Sequence, residues 1–235
     1  MIPALTSRLR AAPALRFRQR PLFLGAAVLL VAGDAIFWLM FAAVLSDSGL
    51  AALDGTVHSL MVDSRGPVLT GLLTAVTTVT APTWMSVIGV TVAVMWAVWK
   101  KELWRPAVLM GAMVLAVVLS TVVKHDVGRS RPPSSDFLLG PDDALSFPSG
   151  HVLGAVVFVF VLAYLLLSRS GTRTTSVFGF MGALVFTLLV AYSRLYLGYH
   201  WLTDVVASLG LAIGITGVAV FVDAAKHGTP RRDGS

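Results

Sequence analysis

The sequence predicts an all-α integral membrane protein: a bundle of six transmembrane helices, with a short interfacial helical segment before the second span. Three observations predict it. The 235 residues are 56% hydrophobic and only 13% charged, with a mean hydropathy of +0.82, whereas about a quarter of the residues in a soluble domain are charged. Six apolar runs approach or exceed the roughly 20 residues that carry a helix across hydrocarbon. The Lys and Arg residues gather on one side of those runs, as they do where a membrane protein meets the cytoplasm.

Residues 1–20 hold Arg8, Arg10, Arg16, Arg18 and Arg20 and no acid, which reads as a basic cytoplasmic arm facing anionic lipid. The run 21–45 is too long for the apolar core of a signal peptide, so it is a retained first span. Asp34 lies inside it without a polar neighbour at helical spacing, and is expected to face the bundle in a structural role. Residues 46–66 are polar and include Asp47, Asp54, His58, Asp63 and Arg65. His58 has no neighbour at metal-ligand spacing and reads as a surface histidine. The stretch 67–80 is apolar and rich in threonine but too short to cross. It is expected to lie partly embedded or to extend the next helix through Ala81-Pro82.

The second span covers 84–99 and is closed by Lys100, Lys101 and Arg105. The third covers 106–123. The fourth, 150–167, is followed by Arg169 and Arg173; the fifth covers 176–192 and the sixth 201–222. The membrane domain is therefore 21–223, followed by a cytoplasmic tail, 224–235, with Lys226, Arg231 and Arg232. Six spans put both termini on one side. Of the 18 basic residues, 13 fall on that side and five on the other, so both termini are expected in the cytoplasm. The five exceptions are Arg65, Lys124, Arg129, Arg131 and Arg194. Cations held where topology disfavours them point to a bound anion.

Composition narrows the function classes. Without cysteine there is no disulfide, thiolate nucleophile or cysteine-held metal. The net charge of +6 is spread over short inter-helix segments rather than one polar face, which argues against nucleic acid as a partner. No carboxylate cluster suits a divalent metal, and no cofactor is implied.

Three polar patches fall at the outer ends of their helices. The first is Lys124 to Pro132, with Lys124, Arg129 and Arg131. The second is Phe147-Pro148-Ser149-Gly150-His151. The third is Ser193 to Asp204, where His200 and Asp204, four apart, share a helical face. Lys124, Arg131 and Arg194 can donate charged hydrogen bonds to several oxygens of one phosphoryl group. Ser149 and Gly150 open a helix, where free N–H groups and the dipole favour an anion. His151 and His200 supply two groups that ionise near neutral pH.

These patches resemble the tripartite signature of the type 2 phosphatidic acid phosphatase superfamily. Lys124, six residues, then Arg131-Pro132 match its first element; Pro148-Ser149-Gly150-His151 match its second. Ser193-Arg194, five residues, His200, three residues, then Asp204 match its third. The resemblance implies that His200 is a nucleophile forming a phosphohistidine, with Asp204 orienting and charging it. It implies that His151 protonates the leaving oxygen and later activates water. Lys124, Arg131, Arg194, Ser149 and the Gly150 backbone are then the phosphate cradle, working without a metal. Ser208 stands where the pattern leads one to expect a glycine, a difference that concerns packing.

Arg129 is left between extending the cradle and binding headgroups. His125 and Asp126 read as a local polar turn. Asp136, Asp142 and Asp143 read as a solvated lid or wall, and Tyr196, Tyr199 and Trp201 as an interfacial aromatic belt. The expected function is hydrolysis of a lipid phosphate or pyrophosphate at the outer face of the cell membrane. Candidate substrates are polyprenyl pyrophosphate, phosphatidic acid and phosphatidylglycerol phosphate. The alternatives are a lipid phosphotransferase with the same site and a non-enzymatic transporter. The second of these calls for midplane polarity and an internal repeat that the spans offer little of. The resemblance also extends to the vanadium-dependent haloperoxidases, but those are soluble.

Overall fold

The structure, a computed structural model, describes residues 12–228, and every regular element among them is helical. Helix α1 spans Ala12–Ser46 and leads through a 3₁₀ turn, Gly49–Leu53, into two short helices, α2 (Asp54–Asp63) and α3 (Pro67–Val79). Then come α4 (Pro82–Lys100) and α5 (Trp104–Val127). An outer loop carries one 3₁₀ turn at Ser134–Asp136. Helices α6 (Gly150–Ser170), α7 (Arg173–Tyr196) and α8 (Leu202–Gly228) complete the chain. Residues 1–11 of the basic arm and 229–235 of the tail lie outside the described residues. Residues 12–20 form the first turns of α1.

Among the described residues, six helices are long and apolar enough to cross a membrane: α1 from Arg20, and α4 to α8. Their ends follow local chemistry. Pro67 and Pro82 start α3 and α4, where a missing N–H costs nothing. Helix α5 stops at Gly128, whose φ of 63° suits glycine.

Helix α8 is the axis of the bundle, with 67% of its apolar window inside against 17–39% for the other five spans. It meets α1 along a seam of small residues. A Cβ at Gly33 would stand 2.4 Å from the Gly214 amide nitrogen, and one at Gly217 would stand 2.8 Å from the Ala26 carbonyl. Glycine there lets the two backbones touch, which substitutes packing for the hydrophobic drive that lipid cannot supply. Gly33 occupies the seam, and the next residue turns about 100° away. Asp34 is exposed, with Oδ1 3.6 Å from where a Cβ at Gly214 of α8 would stand, so its carboxylate lies at the edge of that seam.

At the end of the bundle remote from the three motifs, Arg105 is buried. Its guanidinium donates to the Leu165 carbonyl and, at 3.0 Å, to Ser168 Oγ, with Asp223 3.7 Å away. Tyr164 and Trp104 also donate to Asp223, at 3.2 and 3.1 Å. This latch ties α5, α6 and α8 together and holds the far end of the scaffold on which the site is built.

The expected short helical segment at 67–80 is α3, Pro67–Val79, and a second short helix, α2, precedes it in the polar stretch 46–66. Helix α3 turns Leu73 and Thr77 inward against α7. Leu73 joins Tyr196, Leu197 and Tyr199 in a small apolar cluster under the outer loop.

Candidate active site

The topology carries the C-terminal ends of α5 and α7, the N-terminal ends of α6 and α8 and the outer loop to one level. All eight residues singled out from the motifs converge there. His151 lies within electrostatic range of His200, Arg194, Arg131 and Lys124.

His200 sits in the short turn between α7 and α8, only 2% exposed. Its two ring nitrogens have opposite surroundings. Nδ1 lies 3.3 Å from Asp204 Oδ2 and 3.4 Å from Ser146 Oγ. Nε2 lies 3.3 Å from a guanidinium nitrogen of Arg131. A carboxylate on one side and a cation on the other select the tautomer with the proton on Nδ1 and the lone pair on Nε2. Burial pushes the imidazole down to about 3, against the opposing pull of the Asp204 hydrogen bond. The ring is therefore neutral at neutral pH, as a nitrogen nucleophile must be.

Asp204 is fully buried, and both carboxylate oxygens are occupied. Oδ2 accepts from Ser146 Oγ and, at 2.9 Å, from the Trp201 amide. Oδ1 accepts from Arg129 at 2.6 Å. Arg129 is thus held between two acids. Its other arm reaches Asp54 Oδ2 at 2.7 Å, and Asp54 also accepts from the Thr203 amide and hydroxyl at 2.9 and 2.6 Å. The sequence marks neither Asp54 nor Ser146. Asp54 stands in a polar segment distant in sequence, and Ser146 lies just ahead of its motif.

Three cations, Arg131, Lys124 and Arg194, stand within electrostatic range of His151. Arg131 donates to the carbonyls of Ala144 and Tyr199 at 2.6 and 2.8 Å and pairs with Asp142 at 2.9 Å. Burial lowers its guanidinium below the ordinary value, opposed by Asp142 and Asp204. Lys124 donates to the Leu145 carbonyl. Arg194 is buried, donates to Thr77 Oγ1 at 2.6 Å, and stacks with its Cζ 4.6 Å from the centre of the Tyr199 ring. It forms no ion pair with a carboxylate among the described residues, and its Nε has no hydrogen-bond partner there.

Ser149 precedes the first turn of α6; its hydroxyl is buried and has no hydrogen-bond partner among the described residues. Ser208 anchors this turn, donating to the carbonyls of Ser149 and Asp204 at 3.1 and 2.7 Å. That is work a glycine could not do. His151 makes no side-chain hydrogen bond among the described residues, so its ring is available to a reacting group. His125, Asp126 and Asp143 are exposed.

Of the two readings of the outer loop, its contacts favour the wall: most of its residues are exposed, but it is pinned at several points. His58, expected at the surface, donates from Nε2 to Asp136 Oδ2 at 2.9 Å. That bond holds the Asp136 carboxyl below the usual carboxylate range. Arg65 donates to the carbonyls of Tyr196 and Asp136 at 3.0 and 2.8 Å. Gly198, with φ 87°, leaves room for this crossing, since a Cβ there would stand 2.5 Å from the Asp136 carbonyl. Tyr196 and Tyr199 are buried, not interfacial. Tyr196 Oη accepts from the Gly66 amide at 2.7 Å, and Tyr199 Oη accepts from the Leu139 amide at 2.9 Å. Trp201 is partly exposed and donates to the Ser130 carbonyl at 3.0 Å. An aromatic ring with a polar tip suits a lipid interface and a satisfied core equally, so sequence cannot separate the two.

Below Lys124 and Gly150 an apolar groove of about 370 Å³ opens between α4, α5 and α6. Its lining includes Met85, Met110, Met113 and Gly154.

The PAP2 superfamily model matches residues 105–226. Phosphatidylglycerophosphatase B of Bacillus subtilis is 28% identical over 182 residues, 76% of this chain and 87% of that protein. Undecaprenyl-diphosphatase of Sulfolobus acidocaldarius is 33% identical over 116 residues, 48% of this chain and 52% of that one. The crystal structure of a transmembrane PAP2-type phosphatidylglycerolphosphate phosphatase from Bacillus subtilis superposes with a TM-score of 0.75 at 22% identity. The match covers 86% of this chain and 98% of that one. Asp54, Arg65 and Thr77 lie outside the stretch that the family model matches.

Proposed function

This chain belongs to the PAP2 superfamily, and from that we propose that it is a metal-independent lipid phosphatase acting through a phosphohistidine at the extracytoplasmic face. The observation that carries the reading is the polarisation of His200, with Nδ1 against Asp204 and Nε2 turned toward Arg131. Nε2 attacks phosphorus while Asp204 stabilises the positive charge that develops on the ring. Arg131, Arg194, Lys124 and the amides at the start of α6 neutralise the equatorial oxygens, where one well-aimed donor is worth about 3–4 kcal/mol. His151 protonates the leaving oxygen and then takes a proton from the water that hydrolyses the P–N bond, regenerating His200.

Metal independence is supported by the commitments of the nearby acids. Asp54 and Asp204 are paired with Arg129, and Asp142 with Arg131. The outward orientation is supported by the 13 of 18 basic residues on the side of the termini. The groove beneath Lys124 offers the substrate's chain a path from the bilayer while the phosphate stays at the interface. The names of the relatives support a phospholipid phosphate or a polyprenyl pyrophosphate as substrate.

The test is phosphate release by the purified chain in detergent with EDTA present, from a polyprenyl pyrophosphate, phosphatidic acid and phosphatidylglycerol phosphate, beside His200→Ala. Release that survives EDTA and disappears in the variant is expected. Equal release from His200→Ala would overturn the assignment.

A further inference from the structure

Asp54 is 4% exposed and distant in sequence from all three motifs, yet it is one arginine away from the nucleophile's partner. A chain of contacts runs Asp54 Oδ2 to Arg129 at 2.7 Å, Arg129 to Asp204 Oδ1 at 2.6 Å, and Asp204 Oδ2 to His200 Nδ1 at 3.3 Å. Thr203 clamps it from the side, because its hydroxyl accepts from Arg129 at 2.7 Å while donating to Asp54 at 2.6 Å.

We infer that Asp54 and Arg129 are positioning residues for phosphoryl transfer: Arg129 fixes the Asp204 carboxylate, and Asp54 cancels the charge that Arg129 brings with it. The inference rests on the reading of His200 as nucleophile. Its physical basis is a count of charges in a buried space, where they are poorly screened. Asp204 has to present a net negative charge to an imidazole that turns positive on attack. Arg129 alone would make the Arg129–Asp204 pair neutral and weaken that support. With Asp54 added, the triad carries one net negative charge, and the carboxylate edge that Arg129 leaves open, Asp204 Oδ2, is the edge that faces His200. Buried acid–arginine–acid groupings are poor sources of stability, so a role in catalysis accounts for this one better than a role in folding. Asp54 also sits against the amide of Thr203 at the start of α8, where an anion complements the helix dipole. The segment between the first span and α3 thereby becomes part of the catalytic apparatus.

The test compares Asp54→Asn, Arg129→Gln and the double variant in full-length protein, using phosphate release from a polyprenyl pyrophosphate, with thermal unfolding recorded for each. Asp54→Asn keeps the shape and removes the charge, so kcat is expected to fall about 10- to 100-fold, the range of a charged hydrogen bond, with KM within about twofold. The double variant restores one net negative charge and is expected to recover severalfold over Asp54→Asn. Losses that multiply in the double variant, or a kcat for Asp54→Asn equal to wild type, would overturn the inference while leaving the phosphatase reading intact. Should Asp54→Asn not fold, Thr203→Val decides: a fall in kcat at constant KM supports the clamp, and an unchanged kcat overturns it. No release from wild type, or full release from His200→Ala, would remove the reading on which the inference stands.

Discussion

Replacing Arg194 by methionine should make the protein less active and no less stable. Arg194 is 3% exposed, and its attractive contacts are one hydrogen bond to Thr77 and the Tyr199 ring. Against these stands the desolvation of a guanidinium, several kcal/mol for a buried ion. The hydrogen bond to a charged donor returns about 1.5–3 kcal/mol and the ring about 1–2 kcal/mol. The balance is close to zero or favours removal by about 1–2 kcal/mol, a rise in Tm of a few degrees for a chain of this size. The catalytic cost is separate: loss of one cradle donor lowers kcat about 10²- to 10³-fold. The assay pairs thermal unfolding in a phosphate-free detergent buffer with steady-state kinetics, each repeated with added tungstate as a phosphate mimic. Wild type should be stabilised by tungstate, and Arg194→Met should be stabilised far less. Near-normal activity in the variant, or equal stabilisation by tungstate, would refute the reasoning, because Arg194 would then be a structural cation.

Ser146→Ala removes the hydroxyl shared by Asp204 Oδ2 and His200 Nδ1, and should lower kcat about 10-fold with little change in KM; a rise in KM alone would contradict this. Gly154 borders the groove, and nothing lies within 4 Å of where its Cβ would be. Gly154→Leu should therefore fold normally but lose about 10-fold or more in kcat/KM for a long-chain lipid, while sparing p-nitrophenyl phosphate; equal losses on both substrates would remove the groove from substrate binding. Acid should destabilise the fold. Burial holds His200 at about 3, whereas the unfolded residue ionises near about 6.5, so the unfolded chain binds more protons between those values. Stability is then lost as pH falls below about 6.5. Asp136, held low by His58, adds a further loss in the carboxylate range. Thermal unfolding followed from neutral pH down into the carboxylate range should show a steady decline, and equal Tm values would contradict the burial of a neutral His200.

How much of the molecule is legible in the sequence follows from the range of each signal. The six spans are visible because an apolar run of bilayer length is rare in anything but a membrane-crossing helix. The motif residues are visible because their spacing is local to a helix end. The pairing of α2 and α3 with the site is not visible. Thr77 reaches Arg194 across 117 positions, and Asp54 reaches Arg129 across 75, with no periodicity to announce either. Tyr199 misleads because the ring under Arg194 looks in sequence like a membrane-interface tyrosine. Asp34 is hard to place from sequence because the contact position belongs to its neighbour Gly33, which the tight α1–α8 seam requires, and the acid is left at the exposed edge of that seam. Arg129 is ambiguous in sequence because its partner, Asp54, comes from a segment that carries no motif.

The most direct test of the mechanism is to trap the intermediate. Enzyme mixed with a polyprenyl pyrophosphate radiolabelled in its terminal phosphate and quenched in alkali should carry label on His200. That label should survive base, be released by acid, and be absent from His200→Ala. A His151 substitution that slows hydrolysis more than attack should increase it. Label that persists in His200→Ala, or rapid turnover with no labelled protein at any quench time, would contradict attack by His200.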